Sequence, residues 1–317
     1  MASATQNHPQ AAVDAVLEPQ GRRWDVLGRR SRAPWWFLVP GLALYAFVVL
    51  IPSARGVLLA FTDWNGINPT YEYIGFDNFK TLWETELVRD ALFRTIIIAV
   101  AITIVQNLIG LALALGVNSN IKSRNLLRVF LFAPAVLTPV VVAFLWRNIL
   151  APEGAFNALL GAVGLDGLQQ AWLGDSTYAM WAIVFIVVWQ FAGYSMVIFL
   201  AGLQSIPNEI YEAAEVDGAS RWSRFWNIER PLLAPAITIN LMLSIIGGLK
   251  LFDQIYATTG GGPANSTENL STLLYQYAFN SGRFSFAIAM AVVLTILVAI
   301  FAFGQFALLR RQERKMA

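Results

Sequence analysis

The sequence predicts an all-α polytopic membrane protein, and three observations carry that class. Of 317 residues, 57% are hydrophobic and only 13% charged; an ordinary globular domain carries about 45–50% and about 25%. The apolar residues fall in six runs, 35–61, 95–117, 126–150, 177–203, 232–256 and 284–309. Each exceeds the roughly 20 residues a helix needs to cross about 30 Å of hydrocarbon. None alternates with the period of two expected of a barrel strand. Six transmembrane helices, each satisfying its own backbone, are therefore the expected solution. The shortage of charge argues against a secreted enzyme, a nucleic-acid binder and a disordered chain.

Before the first run, residues 1–33 are polar and lack the apolar core of a signal peptide. They hold Arg22, Arg23, Arg29, Arg30 and Arg32 and are expected to form a mobile cytoplasmic tail. The six-helix domain is expected over 34–310, with a short cytoplasmic tail at 311–317. With six spans both termini share a side, and that side collects fifteen of the 22 Lys and Arg residues. The positive-inside rule then predicts both termini in the cytoplasm.

Catalytic chemistry is poorly supplied. There is no cysteine, and the single histidine, His8, lies in the tail. Disulfides, thiolate metal sites and Ser-His-Asp catalysis are excluded from the helical body.

Between the second and third runs lie Lys122 and Arg124, with Arg128 at the start of the third, and Pro134 and Pro139 interrupt the third. Prolines are tolerated in membrane helices and can kink them. The fourth run carries the intramembrane amide Gln190 beside Trp189, Phe191, Gly193, Tyr194 and Ser195. Polar groups inside a membrane are pathway candidates, although helix packing uses the same residue types. Aromatic faces with hydrogen-bonding groups suit a sugar. In the fifth run Lys250 and Asp253 are spaced i, i+3 and are expected to pair or to snorkel rather than to bind a ligand. Arg55, near the outer end of the first, is expected to be interfacial. The outer loops are acidic: residues 62–91 hold six carboxylates against Lys80 and Arg89.

The stretch 204–232, between the fourth and fifth runs, is long for a simple turn. It reads as two short helices around Gly218. Ser205 is expected to cap the first, with Pro207 in its first turn, and Ser220 the second. Trp222, Phe225, Trp226 and Glu229 follow i, i+3, i+4, i+7 and make a largely aromatic face, before a break at Pro231. Physical reasoning alone leaves two readings open, an interfacial amphipathic hairpin and a docking knob for a cytoplasmic partner.

Here the sequence resembles a known family. Glu212-Ala213-Ala214, then Gly218, Ile228 and Pro231, is similar to the EAA loop of binding-protein-dependent ABC importer permeases. Tyr211, Ala219, Phe225 and Leu232-Leu233 resemble its carbohydrate branch, with Arg230 departing from the usual leucine. Asn78-Phe79, Gly154-Ala155-Phe156-Asn157, Trp172-Leu173, Phe252-Asp253-Gln254 and Gly261-Gly262-Pro263 fit the same pattern.

The resemblance implies a permease subunit in a bacterial cell membrane, forming half of a pathway for a sugar or oligosaccharide. Glu212, Ala213, Ala214, Asp217 and Gly218 would couple it to a cytoplasmic ATPase subunit. The implied partners are a second EAA-type permease chain, two ATPase subunits and an extracytoplasmic solute-binding protein. ATP and magnesium would sit on the ATPase subunits. Aligned with a maltose-importing member of the branch, Gln190, Phe191, Tyr194, Ser244, Gly247 and Gly248 fall on sugar-contacting positions. Only Tyr194 and Ser244 keep that member's residue. The two glycines would leave a barer wall or permit close helix packing.

No G-x-x-x-x-G-K-[ST] phosphate loop occurs. Gly260-Gly261-Gly262 lacks the following lysine and is expected to be a flexible turn. The chain itself is thus expected to be no enzyme. A non-sugar solute such as a glycerol phosphodiester or polyol, and an ATP-independent secondary transporter, are the alternatives.

Overall fold

The computed structural model describes residues 35–119 and 122–316. The expected N-terminal tail and its arginines lie outside the described residues. Among the described residues no strand occurs, only an isolated bridge between Thr62 and Tyr73.

The chain divides after Ala54 into two compact units. The first unit contributes the start of α1 (Trp36–Leu59), which includes a π-helical turn at Ala46–Leu50. Its side chains from Trp36 to Ala54 are exposed apart from half-buried Ala46. An apolar helix with no packed face is suited to lipid, where tails are as apolar as leucine.

In the second unit a short helix α2 (Asp77–Glu84) leads into α3 (Glu86–Asn118). The third apolar run is two helices, α4 (Arg124–Val136) and α5 (Pro139–Ile149), meeting at 98°. The run is thus interrupted at the expected prolines, by a full break rather than a kink. The cause is Pro139: the residue before a proline is driven out of the α region, and Leu137 and Thr138 are both extended. Helix α6 (Ala155–Ala162) precedes the central α7 (Ala179–Gln204).

After α7 come α8 (Asn208–Val216) and α9 (Arg221–Leu232), then α10 (Ala234–Leu249) after a 70° bend. That bend falls at Leu233, two residues beyond the expected break at Pro231. Helix α10 ends at Leu249, so the fifth run is not one helix to residue 256 either. Its last part is a separate helix, α11 (Asp253–Thr258), packed against α5. Helix α12 (Leu270–Tyr275) follows, and α13 (Phe284–Met316) stays helical through residues expected as a tail. Among the described residues four helices are long and apolar enough to cross a membrane, or up to six spans if each bent pair counts as one.

Helix α7 is apolar all round and is buried, as such helices are. It packs along α3 on one side and α4 on another, while α10 lies against α3. Lipid supplies no hydrophobic drive for this packing, so backbones must approach closely. A Cβ on Gly193 of α7 would collide with the Leu131 carbonyl of α4. A Cβ on Gly248 of α10 would lie 2.7 Å from the Ala99 Cα of α3, whereas one on Gly247 would meet nothing within 4 Å. Neighbouring glycines thus do different work: one makes a helix contact, the other leaves open space.

Gly248→Ala is expected to destabilise the purified protein by about 1–3 kcal/mol, the usual cost of overpacking. Gly247→Ala is expected to be neutral or slightly stabilising. Thermal unfolding in detergent checks both, and equal midpoints for the two variants would remove the packing role of Gly248.

Candidate functional site

A cavity of about 570 Å³ lies among α3, the end of α4, α5, α7, α10 and α11. Five of the six pathway residues expected from sequence border it: Phe191, Tyr194, Ser244, Gly247 and Gly248. Tyr194 is 42% exposed, and Gly247 is exposed as well.

Gln190 does not border it. Its side chain is fully buried; Nε2 donates to the Leu137 carbonyl at 3.0 Å, and Oε1 accepts from Gln254 Nε2 at 3.0 Å. The proline break frees a backbone acceptor at Leu137, and an unpaired carbonyl in hydrocarbon is costly. Gln190 satisfies it and at the same time ties α7 to α11.

Ser244 is also committed to neighbouring helices. Its hydroxyl donates to the Asn240 carbonyl at 2.9 Å and accepts from Asn107 Nδ2 at 2.8 Å. Gln106 Nε2 donates to Ser195 Oγ at 2.8 Å, and Asn240 Nδ2 to the Ser195 carbonyl at 3.1 Å. Three helices are therefore bolted by amides.

Gln106, Asn240, Lys250 and Asp253 also line the cavity and were absent from the expected set. Gln106 and Asn240 were detectable by the criterion that found Gln190, an amide inside an apolar run. The Asn240 Oδ1 atom is buried without a hydrogen-bond partner. Lys250 and Asp253 form no ion pair with each other; both are exposed at the cavity rim at the far end of α10. The expected pairing is thus not formed.

The 204–232 stretch is a helical hairpin. Gly218 has φ +71°, the left-handed region that favours glycine. Ser220 Oγ caps α9 by accepting from the Ser223 amide at 3.2 Å, as expected. Ser205 does not cap α8: its hydroxyl donates back to the Gly202 carbonyl, and Pro207 occupies the N-cap position.

The hairpin is rooted in the bundle. Ile206 and Leu233 are buried with Met196, Phe199, Leu200 and Leu203 of α7 and Ala114 and Val117 of α3. Ile210 and Tyr211 of α8 pack on this root; of the five expected coupling residues Ala214 is buried, while Glu212, Ala213, Asp217 and Gly218 are exposed. Arg224 Nε donates to the buried Glu229 at 3.2 Å and lies 5.3 Å from the Tyr211 ring. Burial, then the nearby Glu229 carboxylate, pushes the Tyr211 hydroxyl up, with Arg224 opposing. Glu229 therefore faces inward, while Trp222 is 73% exposed.

At the other end of α10 the glycine-rich segment is hydrogen-bonded rather than loose. The Thr267 hydroxyl bonds the Gly262 carbonyl at 2.7 Å and Thr259 Oγ1 at 2.8 Å. Buried Glu268 accepts from Thr272 Oγ1 at 2.5 Å and from Gln276 Nε2, and packs on Gly261. Burial raises the Glu268 carboxyl above its ordinary value, opposed by those two bonds and by Arg94. Other motif residues also serve as loop clamps: Asn78 Nδ2 donates to the Ala60 and Thr62 carbonyls, and Trp172 Nε1 to Asn157 Oδ1.

Residues 106–315 match the profile of a family described as "Binding-protein-dependent transport system inner membrane component". Among curated proteins, the chain is 34% identical to the multiple sugar-binding transport system permease protein MsmF of Streptococcus mutans. That match covers 88% of this chain and 96% of the relative. It is also 34% identical to the lactose transport system permease protein LacF of Rhizobium radiobacter, over 93% of this chain and 97% of that one. Among solved structures, a chain of a bacterial ABC transporter importing the acidic polysaccharide alginate shares the fold. The TM-score is 0.78 at 24% identity, covering 87% of this chain and 94% of that chain.

The raised Glu268 carboxyl has a consequence for stability. The folded state holds that proton more tightly than the unfolded chain, so its contribution is complete below the ordinary carboxyl value of 4.5. It is lost as pH rises through the raised value. The wild-type thermal midpoint should therefore fall more between about pH 4.5 and pH 8 than that of Glu268→Gln. Parallel profiles would clear the carboxyl of any such role.

Proposed function

This chain belongs to the family of binding-protein-dependent transport system inner membrane components, and on that premise we propose how it conducts and couples. It is a transport permease and not an enzyme. It forms half of the translocation pathway for a sugar or oligosaccharide. It crosses the membrane six times, each bent pair making one span, with both termini in the cytoplasm as the Lys and Arg distribution requires. Its partners are a second permease chain of the same type, two cytoplasmic ATPase subunits that hold ATP and magnesium, and an extracytoplasmic solute-binding protein. The bacterial cytoplasmic membrane is its site.

One observation carries the mechanism: the cavity and the hairpin share the same two helices. Helix α7 carries Phe191 and Tyr194 and ends at Gln204, where the hairpin begins. Helix α10 begins at Ala234, just after the hairpin, and carries Ser244 and Gly247. Tyr194 stands only about 15 Å along α7 from Gln204, at 1.5 Å per residue. A displacement of exposed Glu212, Ala213, Asp217 and Gly218 by an ATPase subunit is passed through Ile210 and Tyr211 to Ile206 and Leu233, at the roots of both helices. The cavity walls then move relative to each other, which is the requirement for alternating access.

In the cavity Phe191 and Tyr194 offer aromatic faces to the C–H faces of a sugar ring. Gln106 and Asn240 supply amides for hydroxyl groups, and Gly247 leaves room. Ser244 on the wall and Gln190 behind it hold the wall in place, with Gly248 setting how closely α10 approaches α3. The names of the relatives, MsmF and LacF among them, support a carbohydrate cargo.

The test is uptake into proteoliposomes containing the complete importer and its binding protein, with lactose, maltotriose, diacetylchitobiose and glycerophosphocholine as probes. At least one of the three sugars should enter in an ATP-dependent way; uptake of glycerophosphocholine alone would replace the carbohydrate reading. Gly218→Val places a β-branched residue at positive φ, a strained conformation. It should cut uptake about tenfold or more with the chain still inserted. Tyr194→Ala should also slow uptake. Wild-type rates in both variants would reject the coupling and pathway assignments.

A further inference from the structure

Outside the cavity, one feature of the far end is unused by the function so far: a row of aromatic rings. Phe252 stacks on Tyr256, with centroids 5.1 Å apart and planes 15° from parallel. Tyr256 meets Tyr275 at 5.1 Å, Tyr275 meets Phe279 at 5.1 Å, and Phe279 meets Phe284 at 5.8 Å. The rings come from Phe252 just before α11, α11 itself, α12 and its π-helical extension Gln276–Asn280, and the first turn of α13. Five rings thus run in unbroken contact across three elements.

The row is not core. Tyr256 is 47% exposed and Phe279 64% exposed. Its inner end is shared with the cavity, since Phe252 lines both. The cavity rim beside Phe252 carries the unpaired Lys250 and Asp253. Exposed aromatic faces that lead to a polar rim and then into a chamber with further aromatics match one kind of cargo. A sugar ring has an apolar C–H face for stacking and a hydroxyl edge for charged and amide groups.

We propose that Phe252, Tyr256, Tyr275 and Phe279 form an entry track along which pyranose rings pass from the binding protein into the cavity. Lys250 and Asp253 take the hydroxyls at its inner end. The proposal rests on the pathway reading above. Stacking contacts of comparable strength along the row let a sugar advance by exchanging one ring for the next. No single site then holds it. The track also selects for pyranoses over acyclic polyols, which have no ring face to present.

The test uses the complete importer in proteoliposomes with whichever of lactose, maltotriose and diacetylchitobiose the wild type transports. Tyr256→Ala and Phe279→Ala should each slow uptake about fivefold, the size expected from losing one stacking contact. ATPase activity stimulated by loaded binding protein should persist. Tyr256→Phe and Phe279→Tyr, which keep the ring, should restore uptake, and Phe279→Leu should not. If stimulated ATPase activity falls in step with uptake, the row is a docking surface for the binding protein and the track is wrong. If Phe279→Leu transports normally, mere apolarity suffices and stacking is wrong. If Tyr194→Ala slows uptake while the track variants do not, the track fails and the pathway stands. If all of them transport normally, the pathway reading fails and takes the track with it.

Discussion

Inside hydrocarbon a polar group has no water to fall back on, and this structure depends on how its buried amides answer that constraint. The proline break between α4 and α5 frees the Leu137 carbonyl, and Gln190 reaches across from α7 to take it. The other end of the same amide holds Gln254 of α11. Deeper along the bundle, Gln106 and Asn107 of α3 donate to serines of α7 and α10. Each such bond is worth only about 0.6–2 kcal/mol in a membrane. Together with the glycine contacts they define where helices may approach and where they must stay apart. The cavity occupies the space left beside these bolts.

The same arrangement joins the two functional ends of the molecule. Residues packed at the hairpin root, Ile206 and Leu233, adjoin the last turn of α7 and the first of α10. A rigid element whose two ends meet different partners is a simple transmitter. Bistability would come from the packing, because close-packed helices do not deform continuously. On the proposed reading the chemistry of ATP belongs to partner subunits, and what this chain contributes is position: which wall moves, and what that wall presents to a cargo.

Much of this was legible in the sequence. Helical class followed from run length, and the Gly218 turn and Ser220 cap from local chemistry. What the sequence hid was tertiary. Periodicity cannot tell a straight span from two helices meeting at 98°, although Pro134 and Pro139 marked the place. The partners of Gln190 and Ser244 are far away in sequence, 53 and 137 residues off, so nothing local separates a pathway group from a bolt. Gly247 and Gly248 look alike until the neighbouring helix is present. Lys250 and Asp253 have the spacing of a helical pair, but the helix ends at Leu249, before both, the next begins only at Asp253, and the pair never forms.

The central claim is that the space bordered by Tyr194 and Gly247 is an aqueous pathway and not a packing gap. The absence of native cysteine makes it directly measurable. In the assembled importer, Gly247→Cys should react with a membrane-impermeant maleimide, and transported sugar should slow the reaction. Ile104→Cys, exposed at the middle of α3 and away from the cavity, should stay unreactive. A Gly247→Cys thiol as inert as that control, in every state of the ATPase cycle, would contradict the account.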